Sequence, residues 1–329
     1  MPAERPPAAL AWRSLLLGLA LLLGSGAAQA ASEAPFLWQV KGAKATHYLL
    51  GSVHLLPSAA KRLPEGIVQA YRSADELVFE SDVDALASRE LGQRLLGAAK
   101  APKGLAGEVD AATLRRVRQR MSSLRMPTAQ CENFRPWFCA LSLELYAYQR
   151  AGFSGDYGLD RRLHDAARAD GRTVAWFEAP ERHIGLFTAM AAPLSAQFLD
   201  AALAEDGLKA EDPAEMYRAW RDNDSPRIET LIAELKRDYP AVHEHLLAAR
   251  NRAWLPELQR RLARRERQLI VVGAAHWLGP DGLIASLRAA GYQVSPYLPI
   301  AIDQDARLGT PPSPMAAPET VIDAVVARR

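Results

Sequence analysis

Two histidines occupy matching positions near opposite ends of the chain. His54 closes the segment Leu49–His54 and His276 closes the similar segment Val271–His276, so in both an apolar stretch leads into Gly-x-x-His. A single histidine after an apolar stretch is more often a hydrogen-bonded structural residue than a ligand. Two of them in matched contexts favour convergence on one divalent metal ion, to which neutral imidazoles bind at ~2.1 Å.

Two glutamates occupy positions of the same kind. Glu80 directly follows the apolar segment Leu77–Phe79, and Glu178 directly follows Val174–Phe177. A carboxylate at the end of an apolar strand is costly unless it forms an ion pair, caps the next element or binds a metal. Both glutamates are therefore candidates for the same site as the histidines.

These four side chains support metal-assisted hydrolysis. We assign His54, His276 and Glu80 as metal ligands and Glu178 as the group that transfers the proton, although on sequence alone the two glutamates can exchange these roles. A metal ion lowers the pKa of bound water toward ~7 and polarises a carbonyl group. A second carboxylate acts as general base or acid, which contributes about 10²–10⁴-fold to the rate.

Four further residues are candidates for binding substrate or orienting the ligands. Asp160 lies at a predicted helix start, where it either caps the helix or belongs to the site. Asn251 and Arg252 precede the last apolar strand, where they either contact substrate and carboxylates or lie on a surface helix. His183 lies in or beside a predicted helix, so a core or surface role competes with a role in the site.

The elements that must position these residues form an α/β pattern. Each Gly-x-x-His segment is followed by a predicted helix and a further predicted strand, so the chain contains two related strand–turn–helix–strand halves. Residues 84–150 and 181–267, between the halves, are mostly helical in pattern. We therefore expect a mixed central sheet built from the two halves, with a large, mostly helical insertion.

The predicted strands bring the histidines and glutamates to one edge of that sheet. Ligands of open α/β sheets bind beyond the carboxyl ends of the strands, and neighbouring strands lie about 4.8 Å apart. If strands 47–50 and 268–272 are neighbours, both imidazoles reach one ion. The most apolar strand, 268–272, is expected to be central, and strand 173–177 is expected to be buried.

The N-terminal residues predict export. Arg5 and Arg13 precede the short apolar run Leu15–Leu23, and residues 28–30 have the cleavage pattern Ala-x-Ala, which is typical of a secretory signal peptide. The run is too short to span a bilayer, although an uncleaved anchor is the alternative. We expect cleavage after Ala30, a periplasmic or secreted protein, and no stable membrane insertion of the mature chain.

The rest of the chain divides into one domain and a tail. Residues 31–302 form the predicted α/β domain, and residues 303–329 form a tail rich in Pro and Ala that we expect to be disordered. The 40 basic and 38 acidic residues leave a net charge of +2, which argues against nucleic acid or an anionic membrane surface as a partner. The oligomeric state has no signature in the sequence.

The sequence does not decide whether the two cysteines, Cys131 and Cys139, form a disulfide. On a single helix they would stand about 12 Å apart, from a rise of ~1.5 Å per residue, which is too far to bridge. A helix that begins at Pro136 leaves Cys131 on the preceding loop and makes pairing feasible. Metal binding by these two cysteines alone is not expected.

The order and spacing of these segments resemble the TraB/PrgY/GumN family, whose animal relatives are the Tiki proteases. The resemblance spans Phe36 to Pro296. It rests on Gly51–His54 with Glu80, Gly158–Asp160, Val174–Glu178, Arg250–Trp254, Val272–His276 and Gly279–Gly282.

The resemblance implies a fold and an activity. The fold is α/β and related to erythromycin esterase-like and ChaN-like proteins, and the Tiki branch implies metal-dependent proteolysis with Mn²⁺ or Co²⁺; Zn²⁺ is a further candidate. His54, His276 and Glu80 carry over as site residues. The family often has glutamine a few residues after the glutamate that matches Glu178, and His183 stands there in this sequence, so the role of that glutamine does not carry over.

We therefore expect an exported metallohydrolase that acts on peptides or another small substrate. Two alternatives stay open, namely a non-catalytic protein that sequesters a peptide or a metal, and a hydrolase of a non-peptide ester. Candidate ligands in both halves together with a further carboxylate favour catalysis over sequestration.

Overall fold

A six-stranded mixed sheet forms the centre of the fold. The computed structural model describes residues 34–60, 62–204 and 212–299, and all of them belong to one compact unit. The strands are β1 (Leu37–Lys41), β2 (Thr46–Ser52), β3 (Leu56–Pro57), β4 (Glu76–Phe79), β5 (Phe153–Ser154), β6 (Thr173–Trp176), β7 (Gln268–Gly273) and β8 (Val294–Pro296). Their order in the sheet is β6-β4-β7-β2-β1-β8, while β3 pairs with β5. The predicted α/β class with a mixed central sheet is confirmed.

Helices make up most of the segment between β4 and β7. Short 3₁₀ turns cover Leu105–Gly107 and Gly155–Tyr157, and a π-helical turn covers Glu244–Ala248. The α-helices are α1 (Glu65–Ser73), α2 (Val83–Leu86), α3 (Arg89–Ala99), α4 (Ala111–Leu124), α5 (Ala129–Glu132), α6 (Pro136–Arg150), α7 (Leu159–Ala169), α8 (Pro180–Thr188), α9 (Ala192–Ala202), α10 (Pro213–Arg221), α11 (Ser225–Asp238), α12 (Pro240–His243), α13 (Ala249–Leu262), α14 (Ala274–Trp277) and α15 (Leu283–Ala289).

Strand β7 is central, as its apolar sequence predicts. It pairs in parallel with β2 on one side and with β4 on the other, and residues 269–272 are buried. In the β2–β7 ladder Gly51 is opposite Val272, and Ser52 is opposite Gly273. The two strands that precede the Gly-x-x-His turns are therefore neighbours, and they end at the same edge of the sheet.

Strand β6 lies at the edge of the sheet, and the prediction that it is buried is wrong. It pairs in parallel with β4, and none of its residues is buried; the side chain of Trp176 is 40% exposed. The prediction failed because an apolar sequence does not reveal how many neighbours a strand has. Strand β6 also shows that the insertion between the two halves contributes a strand to the main sheet.

The two halves share their order of elements but not their place in the sheet. In the first half β2 is followed by α1 and β4, and β4 lies beside β7. In the second half β7 is followed by α15 and β8, and β8 lies beside β1 in antiparallel orientation. The hairpin of β1 and β2 causes the difference, because β1 occupies the position next to β2 and leaves β8 the outer edge.

The helical insertion has a hydrophobic cluster of its own. One cluster packs on the sheet, and a second is formed mainly by residues of α4, α6 and α9. A disulfide joins Cys131 and Cys139 within the second cluster, with their Cα atoms 4.8 Å apart. Helix α6 begins at Pro136 and leaves Cys131 in the separate turn α5, so the pairing alternative is the correct one.

The predicted signal peptide, residues 1–30, and the predicted tail, residues 303–329, lie outside the described residues. In the part of the chain that the structure describes, no single helix has both the length and the apolar character needed to cross a membrane. One bent pair, Pro180–Thr188 with Ala192–Ala202, meets that test by length and composition only.

Candidate functional site

All the predicted site residues except Arg252 lie near the carboxyl ends of the parallel strands, where open α/β sheets bind ligands. Glu80 directly follows β4, and the β4–β6 pairing continues beyond both strands, because the Glu178 N–H donates to the Glu80 carbonyl at 3.0 Å. The two glutamates are thus held side by side. The Gly273 N–H, at the end of β7, donates to Glu80 Oε1 at 2.7 Å.

A buried guanidinium joins the two glutamates. Arg250 in α13 donates through Nη2 to Glu80 Oε2 at 2.7 Å and to Glu178 Oε1 at 2.6 Å. Its carbon Cζ lies 4.4 Å from the centre of the Trp254 ring, and the residue is only 8% exposed. A buried charge is tolerated when it is paired and hydrogen-bonded, so these three residues form one electrostatic unit.

The charges of this unit stabilise one another. Burial has the largest single effect and opposes the ionisation of Glu80, but Arg250 and the nearby histidines together outweigh it and hold the pKa of that carboxyl well below its ordinary value. Burial likewise opposes the ionisation of Glu178, and hydrogen bonds from His183 and Arg250 lower its pKa. Both glutamates are therefore carboxylates at neutral pH.

His276 is held as a neutral imidazole with an acceptor nitrogen in the site. Asn251 Nδ2 donates to the carbonyls of His276 and Asp281, so Asn251 Oδ1 accepts from His276 Nδ1 at 2.6 Å. His276 Nε2 is then the acceptor, and it receives a hydrogen bond from Arg250 Nη1 at 3.0 Å. Burial lowers the pKa of His276 to about 4, which agrees with the neutral form.

His54 pairs with Asp160 at the rim of the site. Its Nδ1 lies 3.2 Å from Asp160 Oδ1, which also accepts from the Ser52 hydroxyl at 3.1 Å. The Asp160 charge raises the pKa of His54, although water screens part of this attraction because the His54 side chain is 64% exposed. Helix α7 approaches this turn closely at Gly158, where a Cβ atom would stand 2.3 Å from the His54 carbonyl oxygen.

The structure brings Glu80, Glu178 and His183 together more tightly than the sequence predicts. His183 Nδ1 lies 2.8 Å from Glu178 Oε1, and one ligand atom from each of the three lies within 4.8 Å of the others. His54 and His276 are not members of this group, although His276 Nε2 is 3.9 Å from Glu80 Oε1. A single ion shared by the two histidines therefore stays a prediction.

Asn251 and Arg252 are close in sequence, but only Asn251 lies in the site. Asn251 is buried and orients His276, as a supporting residue should. Arg252 lies outside the cluster: its side chain is 64% exposed and pairs with Glu244, which corresponds to the surface-helix alternative.

The donor set fits a divalent cation. Two carboxylates and an imidazole are ligands that Mn²⁺, Co²⁺ and Zn²⁺ accept. Glu178 Oε2 is buried and has no hydrogen-bond partner among the described residues, and an oxygen in that state costs about 1–3 kcal/mol, which a cation would offset. Arg250 bonds to oxygens of the same two glutamates, so a bound ion competes with the guanidinium.

Arg250 is the site residue that sequence reasoning missed. The signal for it lies in α13, where Arg250, Trp254 and Leu258 follow one another at intervals of four residues and are all buried. A charged residue in line with the apolar face of a helix indicates a buried ion pair.

A cavity of about 410 Å³ opens beside the cluster. Its polar lining includes His54, Glu80, Asp160 and His183, so solvent and small molecules reach Glu80 and His183 from this side. The size falls in the range of small-molecule sites, about 300–1,000 Å³.

Comparisons with known proteins agree on one family. A family model described as the TraB/PrgY/gumN family matches residues 36–296. The chain is 25% identical over 247 residues to the uncharacterized protein YbaP of Escherichia coli (strain K12), and the match covers 73% of this chain and 87% of YbaP. YbaP of Shigella flexneri matches to the same extent. No solved structure matches the chain.

Proposed function

This chain belongs to the TraB/PrgY/gumN family, and from that premise we propose that it is an exported, metal-dependent hydrolase that cleaves peptide bonds. The observation that carries the proposal is the convergence of Glu80, Glu178 and His183, whose ligand atoms lie within 4.8 Å of one another beside an open cavity. A divalent ion bound there would supply Lewis acidity, which polarises a carbonyl group and acidifies water.

The side chains of the cluster divide the remaining work. Both oxygens of Glu80 accept hydrogen bonds, from Gly273 N–H and from Arg250, so Glu80 is fixed in place and suited to hold a cation. Glu178 Oε2 has no hydrogen-bond donor in the part of the chain that the structure describes, so Glu178 is the better proton acceptor. His183 orients Glu178 through the 2.8 Å contact to Oε1 and is within reach of the same proton.

Arg250 has a second use in hydrolysis. Its guanidinium bonds both carboxylates, so it lies next to the groups that we propose to act on the substrate carbonyl. A fixed cation at that position stabilises the negative charge that develops on the carbonyl oxygen. Asn251 contributes indirectly, because it keeps His276 Nε2 facing Arg250.

The same guanidinium supports a second candidate, a hydrolase that works without a metal. In that reading Arg250 is the resident cation, Glu178 and His183 activate water, and the substrate is an ester or a peptide. The observation in its favour is that one nitrogen, Nη2, already bonds both carboxylates.

Two features support export. The N-terminal sequence has the pattern of a signal peptide, and disulfides such as Cys131–Cys139 persist in oxidising compartments. The partners we propose are a peptide or another small substrate, and the nearly balanced charge favours neither nucleic acid nor an anionic membrane.

Metal titration combined with peptide-library cleavage tests the proposal. Purified protein is treated with a chelator and then titrated with Mn²⁺, Co²⁺ or Zn²⁺. We expect about one ion per chain, cleavage that depends on it, and a loss of kcat of about 10²–10⁴-fold in Glu178→Gln. Arg252→Met, an exposed neighbour of the site, is the matched control and should keep wild-type values.

Further variants separate the ligand sets and the two candidates. Glu80 belongs to both ligand sets, so Glu80→Gln should lose metal binding in either case. Loss of metal binding in His183→Ala but not in His54→Ala or His276→Ala would select the carboxylate–His183 set. Loss in His54→Ala and His276→Ala but not in His183→Ala would select the two-histidine set. Cleavage that persists in chelator would select the metal-free candidate. Absence of both metal binding and cleavage of any peptide or ester would overturn the proposal.

A further inference from the structure

The cavity beside the carboxylates has an apolar wall. Helices α2, α3 and α8 form this wall from the side chains of Val83, Leu86, Leu91, Leu95 and Ile184. We call these five residues the apolar wall. It adjoins the cluster along the chain, because Ile184 directly follows His183 and Val83 stands three residues after Glu80.

Two residues of this wall are buried without belonging to a core. Leu91 is 5% exposed and Ile184 is 8% exposed, yet neither is part of the hydrophobic cluster on the sheet or of the cluster in the insertion. Both line the cavity. Apolar side chains beside a void lack partner atoms on that side, so the contacts that are missing there are the ones an apolar ligand would supply.

Arg161 and Asp160, two of the charged groups that line the cavity, already have partners, while a third, Asp156, is exposed. Arg161 bonds Asp165 at 3.0 Å and Asp84 at 3.3 Å, and Asp160 pairs with His54. An ionic group placed against the apolar wall would lose hydration and gain no partner there. The apolar wall is therefore better suited to an uncharged group than to an ionic one.

We propose that the apolar wall is a binding subsite for a large aliphatic or aromatic group attached next to the scissile carbonyl of the substrate. The reaction at that carbonyl rests on the proposed hydrolase function, whereas binding at the wall does not. The chemistry is the same whether the group is a leucine-like or phenylalanine-like side chain of a peptide or the acyl chain of an ester. Burial of one such side chain corresponds to about 10–100-fold in affinity.

Binding of blocked tripeptides tests the subsite without turnover. The probes are N-acetyl-Ala-X-Ala-amide with X as Leu, Phe, Ala, Lys or Asp, and their affinities for Glu178→Gln are measured by calorimetry. We expect Leu and Phe probes to bind about 10–100-fold more tightly than Lys and Asp probes. Equal affinity across the five probes would overturn the inference.

Two substitutions in α2 make the test specific to the wall. Leu86 lines the cavity and is part of neither hydrophobic cluster, so Leu86→Lys should remove the preference for Leu and Phe while the melting temperature stays close to wild type. Ala85→Lys, its neighbour outside the cavity lining, is the control and should keep the preference. If Leu86→Lys fails to fold, Leu86→Ala is used, and an unchanged preference in the folded variant would also overturn the inference.

Turnover separates the substrate source and the two proposals. In the wild-type enzyme, peptides and p-nitrophenyl esters with isovaleryl or acetyl groups are compared by kcat/KM. If the enzyme prefers the branched group only among the peptides, the natural substrate is a peptide; if only among the esters, it is an ester. If neither series is cleaved, the hydrolase function fails and the tripeptide affinities decide the subsite; if cleavage occurs without preference, the subsite fails and the hydrolase function stands.

Discussion

Two arginines in α13 illustrate how strongly the role of a residue depends on its helix face. Arg250 is buried between Glu80 and Glu178, whereas Arg252 extends from the surface to Glu244. Their side chains point in directions about 200° apart, because an α-helix turns about 100° per residue. The pair provides a matched comparison between a buried and an exposed ion pair.

Removal of each arginine should therefore have different effects on stability. Arg250→Met leaves two buried carboxylates without their cation and should lower the free energy of unfolding in chelator by about 3–5 kcal/mol. Arg252→Met should change it by less than about 1 kcal/mol. Urea denaturation measures both values, and equal effects of the two substitutions would contradict the assignment of Arg250 as the central cation.

Much of the site could be predicted from residue types, but not its centre. The strand-end position of Glu80 and Glu178 was sufficient to place them together. The two Gly-x-x-His turns look alike in sequence, yet β2 continues through Ser52 before His54, whereas α14 begins directly after Gly273 and carries His276. The two imidazoles therefore leave the sheet edge in different local structures, which sequence similarity between the turns does not reveal.

At the scale of elements, a buried histidine connects the start of the central strand to the helix before it. His47 is fully buried in β2. Its Nδ1 accepts the Gln268 N–H at 3.3 Å, and its Nε2 donates to the Leu262 carbonyl at 3.2 Å. This pattern requires the neutral ring, and burial lowers the pKa of His47 below its ordinary value of 6.5.

Acidification should therefore weaken the contact between β2, β7 and α13. Because the pKa of His47 is lower in the folded state, the unfolded chain takes up the proton first as the pH falls below about 6.5, and stability decreases from there toward the folded-state pKa. His47→Gln keeps a donor but does not titrate, so the part of the pH dependence that comes from His47 should disappear. Unfolding free energies between pH 7 and 5 measure this; an unchanged slope in His47→Gln would contradict it.

Element types were easier to predict than element surroundings. The segment Glu65–Ser73 is predicted as a helix because Pro64 and Glu65 suit its first turn, and Glu76–Phe79 is predicted as an apolar strand. The structure has a helix and a strand with these bounds, since local patterns and end signals suffice. The exposure of β6 was not predictable, because it depends on pairing with β4, which is nearly one hundred residues away in the sequence. Non-local pairing is also what makes β8 an edge strand beside β1.

At the scale of the whole molecule, the chain stabilises two apolar clusters by different means. The cluster on the sheet includes β2, β4 and β7, while the cluster of the insertion contains the Cys131–Cys139 disulfide. The site draws its carboxylates from the first cluster's sheet and not from the cysteine-containing helices. The carboxylates of the site and the disulfide therefore lie in different parts of the fold, although His183 and Arg250 come from helices of the insertion.

Reduction of the disulfide should lower stability without changing the site. For a loop closed over eight residues of separation, the entropic model gives a loss of about 2–3 kcal/mol. The double variant Cys131→Ala with Cys139→Ala should show a loss of this size, and a reducing agent should destabilise the wild type but not the variant. Metal affinity should be the same in both; a large fall in affinity would show that the insertion and the site are coupled.

Because β6 is an edge strand, a ligand that binds both Glu178 and Glu80 would also stabilise the pairing of β6 with β4. Glu178 follows a strand that pairs with β4 along one side. Glu80 follows β4 and Gly273 ends β7, and both of these strands are paired along both sides. A ligand that bridges Glu80 and Glu178 would hold the edge strand β6 against β4. By thermodynamic linkage, its binding free energy would add to the free energy needed to separate β6 from the sheet. Binding of such a ligand and pairing of β6 with β4 are therefore expected to stabilise each other.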